Sequence, residues 1–499
     1  MFRRSSGILM HISSLPSKYG IGDFGKSAYD FINFLEKSGQ KNWQILPLGA
    51  TGYGDSPYQS FSAFSGNPYF IDLESLVSDG YLEFSDLNYL ENKNPSLVDY
   101  NEVYHKKYFI FKKAYSKFVE IGDFIQLKEF RKKNLYWIED YSLFMALKEK
   151  FNGASWLNWP RKYRVRDRET MKKSKIELKK SIQYFTFLEY LFQNHWFKLK
   201  SYANKKGIKI IGDIPMFVST DSSDTWATPN FFQFDKYKKP KRVAGCPPDF
   251  FSKSGQLWGN VLYDWKAMEE KKYVWWINRL KFCSKLYDIS RIDHFRGFES
   301  YWSIPAEAKS AAVGRWEKGP GMKFFNIIKS KLGNIPIIAE DLGILTSKVE
   351  KLLIDTGYPG MKILEFAFDS SGESSYLPHK YKRNSIAYTG THDNNTIVGW
   401  YKEAPKKDKE FCNEYLKCYL RKIDGDLNES ISWKCIEAIW GSKSVISIAQ
   451  LQDFLEIGNI GRMNTPSTLG GNWTWRVSKE ELTDELASKI LKITKKFNR

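Results

Sequence analysis

Nowhere in the 499 residues does an apolar run approach the roughly 20 needed to span a bilayer. The N-terminal Gly7-Ile8-Leu9-Met10 is too short for the core of a signal peptide. These absences predict a cytoplasmic protein with no membrane partner. Cysteine is scarce: the five present, Cys246, Cys283, Cys412, Cys418 and Cys435, are odd in number and form no close CxxC pair. That excludes a disulfide framework and a thiolate zinc site. Histidine is almost as scarce, at six; His11, His105, His195 and His379 stand isolated and read as structural or exposed, whereas His294 and His392 sit directly beside acids. No Gly-rich phosphate loop follows a strand, which removes the usual seat for a nucleotide.

Positive charge is abundant, with 76 Lys and Arg against 57 Asp and Glu and a net charge of +19. Such a balance raises nucleic acid as a partner. The lysines are spread along helical segments such as 106–117 and 172–180, however, and neither an aromatic RNA-binding signature nor a zinc-finger spacing occurs. No nucleic-acid partner is expected. Aromatic residues make up 16% of the chain; most must be core, but sugar sites also use aromatic faces as platforms for pyranose rings.

Eight short apolar segments read as strands: residues 7–13, 42–48, 209–215, 289–293, 336–341, 361–368, 385–391 and 444–451. Helical segments fit between most of them, for instance 27–38 and 316–332. The fold class this predicts is α/β, a (β/α)8 TIM barrel with large, mainly helical insertions and no separate C-terminal β-sandwich domain. Residues 1–74 would hold the first two strands, 75–205 a mainly helical inserted subdomain, and 206–499 the rest of the barrel. Neither 96–121 nor 161–206 contains Gly or Pro, and apolar residues recur at helical spacing in Tyr108-Ile110-Phe111-Ala114-Phe118. A second insertion, about 220–259, reads as an irregular lid, because Pro229, Pro240, Pro247 and Pro248 interrupt it.

Three segments run from an apolar stretch into an acid: Ile292-Asp293-His294, Ala339-Glu340-Asp341 and Thr391-His392-Asp393. The strands of a barrel share one carboxyl rim, so acids distant in sequence converge there. Facing carboxyl groups with a third nearby are what cleavage of a glycosidic bond through a covalent intermediate requires. Arg291 precedes Asp293 by two residues, so on a strand both point to one face. A guanidinium there should lower the Asp293 pKa and keep a nucleophile ionised. Taken alone, an Arg-x-Asp pattern is an ordinary ion pair at a strand end. Glu340 ends a nearly all-apolar strand, where desolvation raises a carboxyl pKa and suits a general acid. Asp341 should point away and cap a helix or pair locally. Asp393, in Thr391-His392-Asp393-Asn394-Asn395, reads as a third acid that binds sugar hydroxyls, although such a turn by itself is ordinary loop chemistry.

Together with Lys209-Ile210-Ile211-Gly212-Asp213-Ile214-Pro215, these ordered segments resemble the four signature regions of the α-amylase clan. Other stretches narrow the resemblance to the amylomaltases, or disproportionating enzymes, which are 4-α-glucanotransferases. They include Trp43-Gln44-Ile45-Leu46-Pro47-Leu48-Gly49, Gly54-Asp55-Ser56-Pro57-Tyr58-Gln59-Ser60, Pro247-Pro248-Asp249-Phe250-Phe251, Gly255-Gln256-Leu257-Trp258-Gly259-Asn260 and Gly471-Asn472-Trp473-Thr474-Trp475-Arg476. The resemblance implies Asp293 as nucleophile, Glu340 as acid and then base, and Asp393 as transition-state stabiliser. It implies sugar contacts for Arg291, His294, His392 and Asp213, and a lid with Asp249, Phe251, Gln256 and Trp258. Ser56, Tyr58, Phe366 and Asn464 match groove positions, and Tyr53 and Tyr100 match a remote glucan-binding pair. The chain has Ser467 where the family commonly has Gly, which bears on that loop because Gly permits φ values that Ser resists. The expected partners are malto-oligosaccharides and glucose; retaining transfer of this kind needs no cofactor and no metal. A hydrolase would share every catalytic residue, and a glycan-binding protein or a basic scaffold for nucleic acid is the rival outside catalysis.

Overall fold

The computed structural model describes residues 2–91, 94–248, 254–343, 345–369 and 373–499, and for Tyr53 the backbone alone. Eight parallel strands form its centre: β1 (Ser5–Leu9), β2 (Asn42–Gln44), β3 (Lys209–Ile214), β4 (Ile289–Ile292), β5 (Ile337–Ala339), β6 (Gly360–Ile363), β7 (Ser385–Tyr388) and β8 (Ile446–Gln450). Each strand from β1 to β4 and from β6 to β7 pairs with its successor in sequence, and β8 returns to pair with β1. Between β5 and β6 the Ala339 N–H donates to the Pro359 carbonyl at 3.0 Å, which closes the ring. This is the expected (β/α)8 barrel. The paired strands are shorter than the apolar runs that announced them; after β6, for instance, the chain turns at once into a 3-10 helix, Leu364–Ala367.

Alternation sorts each strand into two faces. Leu9, Ile211, Ile289, Ile338, Met361, Ile386 and Ile446 fill the barrel interior, while Ile8, Ile210, Ile292, Ile337, Ala387 and Ala449 pack outward against the helices. Along the inner face the sequence changes character toward the carboxyl end: Ile211 is followed by Asp213, Ile289 by Arg291, and Ile338 by Glu340. The apolar floor therefore carries a polar rim. Gly212 is required for close approach, since a Cβ there would lie 2.1 Å from the Tyr287 ring.

The segment between β2 and β3 is built mainly of helices, among them Tyr100–Ile121, Phe124–Lys133, Leu135–Lys150, Arg168–Glu177 and Lys179–Lys205. Asp99, Asp123 and Asp167 cap three of them by accepting backbone N–H groups of the first turn. The last of these helices packs on β3 and on Lys26–Lys37, so it is also part of the barrel's own helical layer. A buried cation ties the inserted helices down. Lys107 is 0% exposed, donates from Nζ to the Tyr69 carbonyl at 2.7 Å, and lies 3.9 Å from Asp23 Oδ2. Burial pushes the Lys107 ammonium down to about 8 and the Asp23 carboxyl up to about 6.

Two expectations are corrected here. The segment 220–259 holds regular structure: helix Ser223–Ala227 and strands Arg242–Cys246 and Gln256–Val261. The prolines bound these elements instead of abolishing them, since Pro229 opens a 3-10 helix and Pro247 follows the end of a strand. The strands join Ser300–Pro305 and Arg315–Lys318 in a four-stranded antiparallel sheet beside the barrel. The helical segment expected at 316–332 is a strand followed by helix Gly321–Leu332, broken at Gly319-Pro320. Among the described residues no helix is long and apolar enough to cross a membrane.

Lys107→Ala should cost about 3 kcal/mol in urea unfolding, because it strands Asp23 and the Tyr69 carbonyl in the core. Unchanged stability in that variant would show that the pair does not anchor the helices.

Candidate active site

Strand register assembles the centre of the site. Asp213 and Arg291 are direct partners across β3 and β4, and an Arg291 Nη1–H donates to Asp213 Oδ2. Arg291 Nη2 lies 3.2 Å from Asp293 Oδ1, and the Tyr58 hydroxyl donates to Asp213 Oδ2 at 2.6 Å. Ile292 pairs with Ala339 across β4 and β5, so Asp293 and Glu340 are the next residues at one level. The Glu340 carboxyl accepts the His294 N–H on Oε2 at 2.6 Å and the Leu342 N–H on Oε1 at 2.7 Å. His294 adopts φ +50°, a left-handed conformation disfavoured by about 1–2 kcal/mol for a residue with a Cβ. Asp341 turns away, as expected, but bridges strands instead of capping a helix: its Oδ1 accepts the Met361 N–H at 2.6 Å, and Thr346 caps the helix that follows.

The electrostatics depart from the reading of Arg291 as the group that decides Asp293. Burial and the carboxylates of Asp213, Glu340 and Asp393 together outweigh the guanidinium, and the Asp293 pKa is raised well above the usual carboxylate range. Glu340 is also raised, by burial, against the opposing pull of Arg291 and its two backbone N–H bonds. Four acids around one arginine cannot all ionise easily. Asp393 behaves oppositely. Burial raises it, but His392, with Nε2 at 3.3 Å from Oδ2, and the Asn464 amide, donating to Oδ1 at 2.6 Å, hold it below the ordinary value.

His392 lies in an aromatic stack, 5.2 Å from the Tyr58 ring and 5.7 Å from Trp473. His294 meets the edge of Trp258 at 4.9 Å, and its buried Nε2 has no hydrogen-bond partner among the described residues. The same Trp258 receives support from Gln256, whose Oε1 accepts the indole N–H at 3.0 Å. Ser56 Oγ accepts the Tyr58 N–H at 3.2 Å, and the Phe366 ring packs edge-on against Tyr376 at 5.7 Å. Asp249, Phe251 and the Tyr53 side chain lie outside the described residues. Tyr100 is part-buried, and its hydroxyl donates to the Trp473 carbonyl at 3.0 Å. No three His, Cys, Asp or Glu side chains among the described residues are grouped to hold a metal ion.

A family model described as 4-alpha-glucanotransferase matches residues 10–483. The chain belongs to the 4-alpha-glucanotransferase family. It is 50% identical over 497 residues to the 4-alpha-glucanotransferase of Clostridium butyricum, covering 98% of this chain and 100% of that one. It is 42% identical to that of Thermus thermophilus, covering 98% and 97%. The amylomaltase of Streptococcus agalactiae, solved in complex with acarbose, superposes with a TM-score of 0.96 at 41% identity, covering all of both chains. The amylomaltase of Corynebacterium glutamicum shares the fold at 18% identity and a TM-score of 0.82, covering 98% of this chain and 75% of that one.

In this 4-alpha-glucanotransferase two side chains of the site escaped sequence reasoning. Trp473 completes the stack on His392, with φ +64°. Arg462 donates to the backbone carbonyls of Asp393 at 3.0 Å and Asn464 at 2.9 Å, holding together the two loops that meet at Asp393. Neither lies at a strand end or beside an acid, which are the signals that revealed the others. Three residues after Asn464, Ser467 takes φ +65°, the conformation Ser resists. Ser467→Gly should therefore gain roughly 0.5–1 kcal/mol, as relief of strain exceeds the added entropy of the unfolded chain. Urea unfolding checks this, with glucan transfer expected within about twofold of the parent; a loss of stability would contradict the strain.

Proposed function

We propose that this 4-α-glucanotransferase moves α-1,4-linked segments between malto-oligosaccharides, or to glucose, by double displacement on Asp293 and Glu340. The observation that carries the reading is the position of these two carboxyl groups at one level of adjacent strands. Parallel strands run about 4.8 Å apart, and retaining enzymes hold their two carboxyl groups roughly 5 Å apart.

In the first step Asp293 attacks the anomeric carbon while Glu340 gives its proton to the glycosidic oxygen. The C–O bond breaks, the reducing-end fragment leaves, and the donor segment is held as an ester of Asp293. In the second step the 4-hydroxyl of an acceptor gives its proton to Glu340, and its oxygen displaces Asp293 to restore an α linkage. Glu340 suits the first role because burial favours its protonated form. The ionised Asp393 suits binding of sugar hydroxyls and stabilisation of developing positive charge at the anomeric centre. Arg291 and Asp213 would orient the donor sugar. Trp258, standing on His294, would cover the reacting bond, and exclusion of water there favours an acceptor sugar over hydrolysis.

Incubation with maltotriose tests the transfer. Free glucose and a ladder of longer maltodextrins should appear at constant total reducing ends; rising reducing ends without longer products would make the chain a hydrolase. Asp293→Asn should lower turnover by at least about 10^3, roughly 4 kcal/mol in the barrier, in a protein that stays folded. Near-normal activity in that variant would remove Asp293 from its role.

The acid limb of kcat/KM should report Asp293, which must lose its proton to attack. Asp213 is among the charges that raise the Asp293 pKa, so Asp213→Asn should move that limb to lower pH even as overall activity falls. A limb that stays in place or moves to higher pH would assign it to another group.

A further inference from the structure

The sequence isolates His11, but the fold does not. His11 follows β1, is buried, and accepts the Leu46 N–H on Nδ1 at 3.2 Å. A neutral imidazole that accepts at one nitrogen carries its proton on the other. The ring is neutral, because burial pushes it down to about 3. His11 therefore offers Nε2–H.

His11 and His392 line one cavity of about 10 Å³, together with Ser14, Gln450 and Gln452. That is room for a single water, which needs two to four polar partners. The partners are present. His11 Nε2 and His392 Nδ1 make no hydrogen bond among the described residues. Gln450 and Gln452 use their amide nitrogens on the carbonyls of Asn395 and Gly461, at 3.1 and 2.9 Å, which leaves their oxygens as acceptors. On its far side His392 Nε2 lies 3.3 Å from Asp393 Oδ2, and in the neutral ring protonated on that nitrogen an N–H faces the carboxylate. Its Nδ1 is then an acceptor in need of a donor.

We propose that His11 is a positioning residue for the transfer reaction: through one water in this cavity, its Nε2–H donates to His392 Nδ1 and fixes the tautomer that donates to Asp393. The proposal rests on the reading that Asp393 acts in the reaction. It identifies a buried relay from the end of β1 to the groove, in which the third acid is held by a histidine that is itself held from behind.

Two isosteric variants separate this role from a structural one. Asn places its amide oxygen where Nδ1 was and keeps the Leu46 bond; Gln places its amide nitrogen near Nε2 and keeps the donor into the cavity. On maltotriose, His11→Asn should lower kcat about tenfold, the scale on which outer partners of site histidines act, with KM within about twofold, and His11→Gln should recover most of that loss. A merely structural His11 gives the reverse order, and equal activities in both variants also overturn the proposal. In a His392→Asn background, His11→Asn should cause no further loss; multiplying losses would show that His11 does not act through His392. Asp393→Asn identifies which idea has failed. If it retains full activity, the reading of Asp393 is wrong, whereas if it is inactive while His11→Asn matches the parent, only the relay is wrong.

Discussion

One buried guanidinium holds together a site that would otherwise consist of mutually repelling carboxylates. Arg291 is 3% exposed and touches Asp213 and Asp293. Asp213 in turn receives the Tyr58 hydroxyl, and Tyr58 stacks on His392 beside Asp393. The contacts that orient the acids of β3 and β4, and the loops after β2 and β7, thus lead back to the same cation. A charge buried this deeply is tolerated only when it is paired and hydrogen-bonded on several sides. Arg291 meets that condition because its strand register sets Asp213 directly opposite.

The barrel gives the acids a common level, and the insertions give them a wall. Strands Arg242–Cys246 and Gln256–Val261 pair with each other, and the first pairs with Ser300–Pro305, which follows β4. The segment beside Trp258 therefore belongs to a small sheet and is not a free loop. Its far end is fixed too. Asn260 donates to the Val218 carbonyl at 3.0 Å and accepts from Gln59 at 3.2 Å, which links this sheet to the loop that carries Ser56 and Tyr58. The loops after β2 and β3, distant in sequence, form one side of the groove.

The barrel was legible because its information is local. Short apolar runs marked all eight strands, and the passage from an apolar stretch into an acid marked the rim. Asp213, Arg291, Asp293 and Glu340 could be ordered from those runs alone. What escaped was long-range. In the side sheet, Arg242–Cys246 pairs with Ser300–Pro305, which lies beyond β4, and no local pattern announces so distant a partner. Arg462 and Trp473 act on the Asp393 loop through tertiary contact. The sign of the Asp293 shift also escaped, because sequence shows the adjacent Arg291 but not that Asp213, Glu340 and Asp393 converge on the same point.

What each acid faces sets its proton affinity, and it sets Asp393 apart from Asp293 and Glu340. Asp393 sits where side chains from two loops reach it: an imidazole, an amide and the field of Arg291 all favour its anion. Asp293 and Glu340 lie where the apolar strands have just ended; burial raises both, with the charge of Glu340 adding to the rise at Asp293 and that of Asp341 to the rise at Glu340. Glu340 is pulled both ways. Its two backbone N–H bonds favour the anion and fix the carboxyl plane, while burial against the strand end raises the pKa above the ordinary carboxyl value. One of those bonds comes from His294, whose left-handed backbone is the unfavourable conformation on that turn. The strain at His294 thus has a function in the proposed mechanism: it aims a backbone N–H at the acid, so that Glu340 is held in place by a group whose own charge never changes during the reaction.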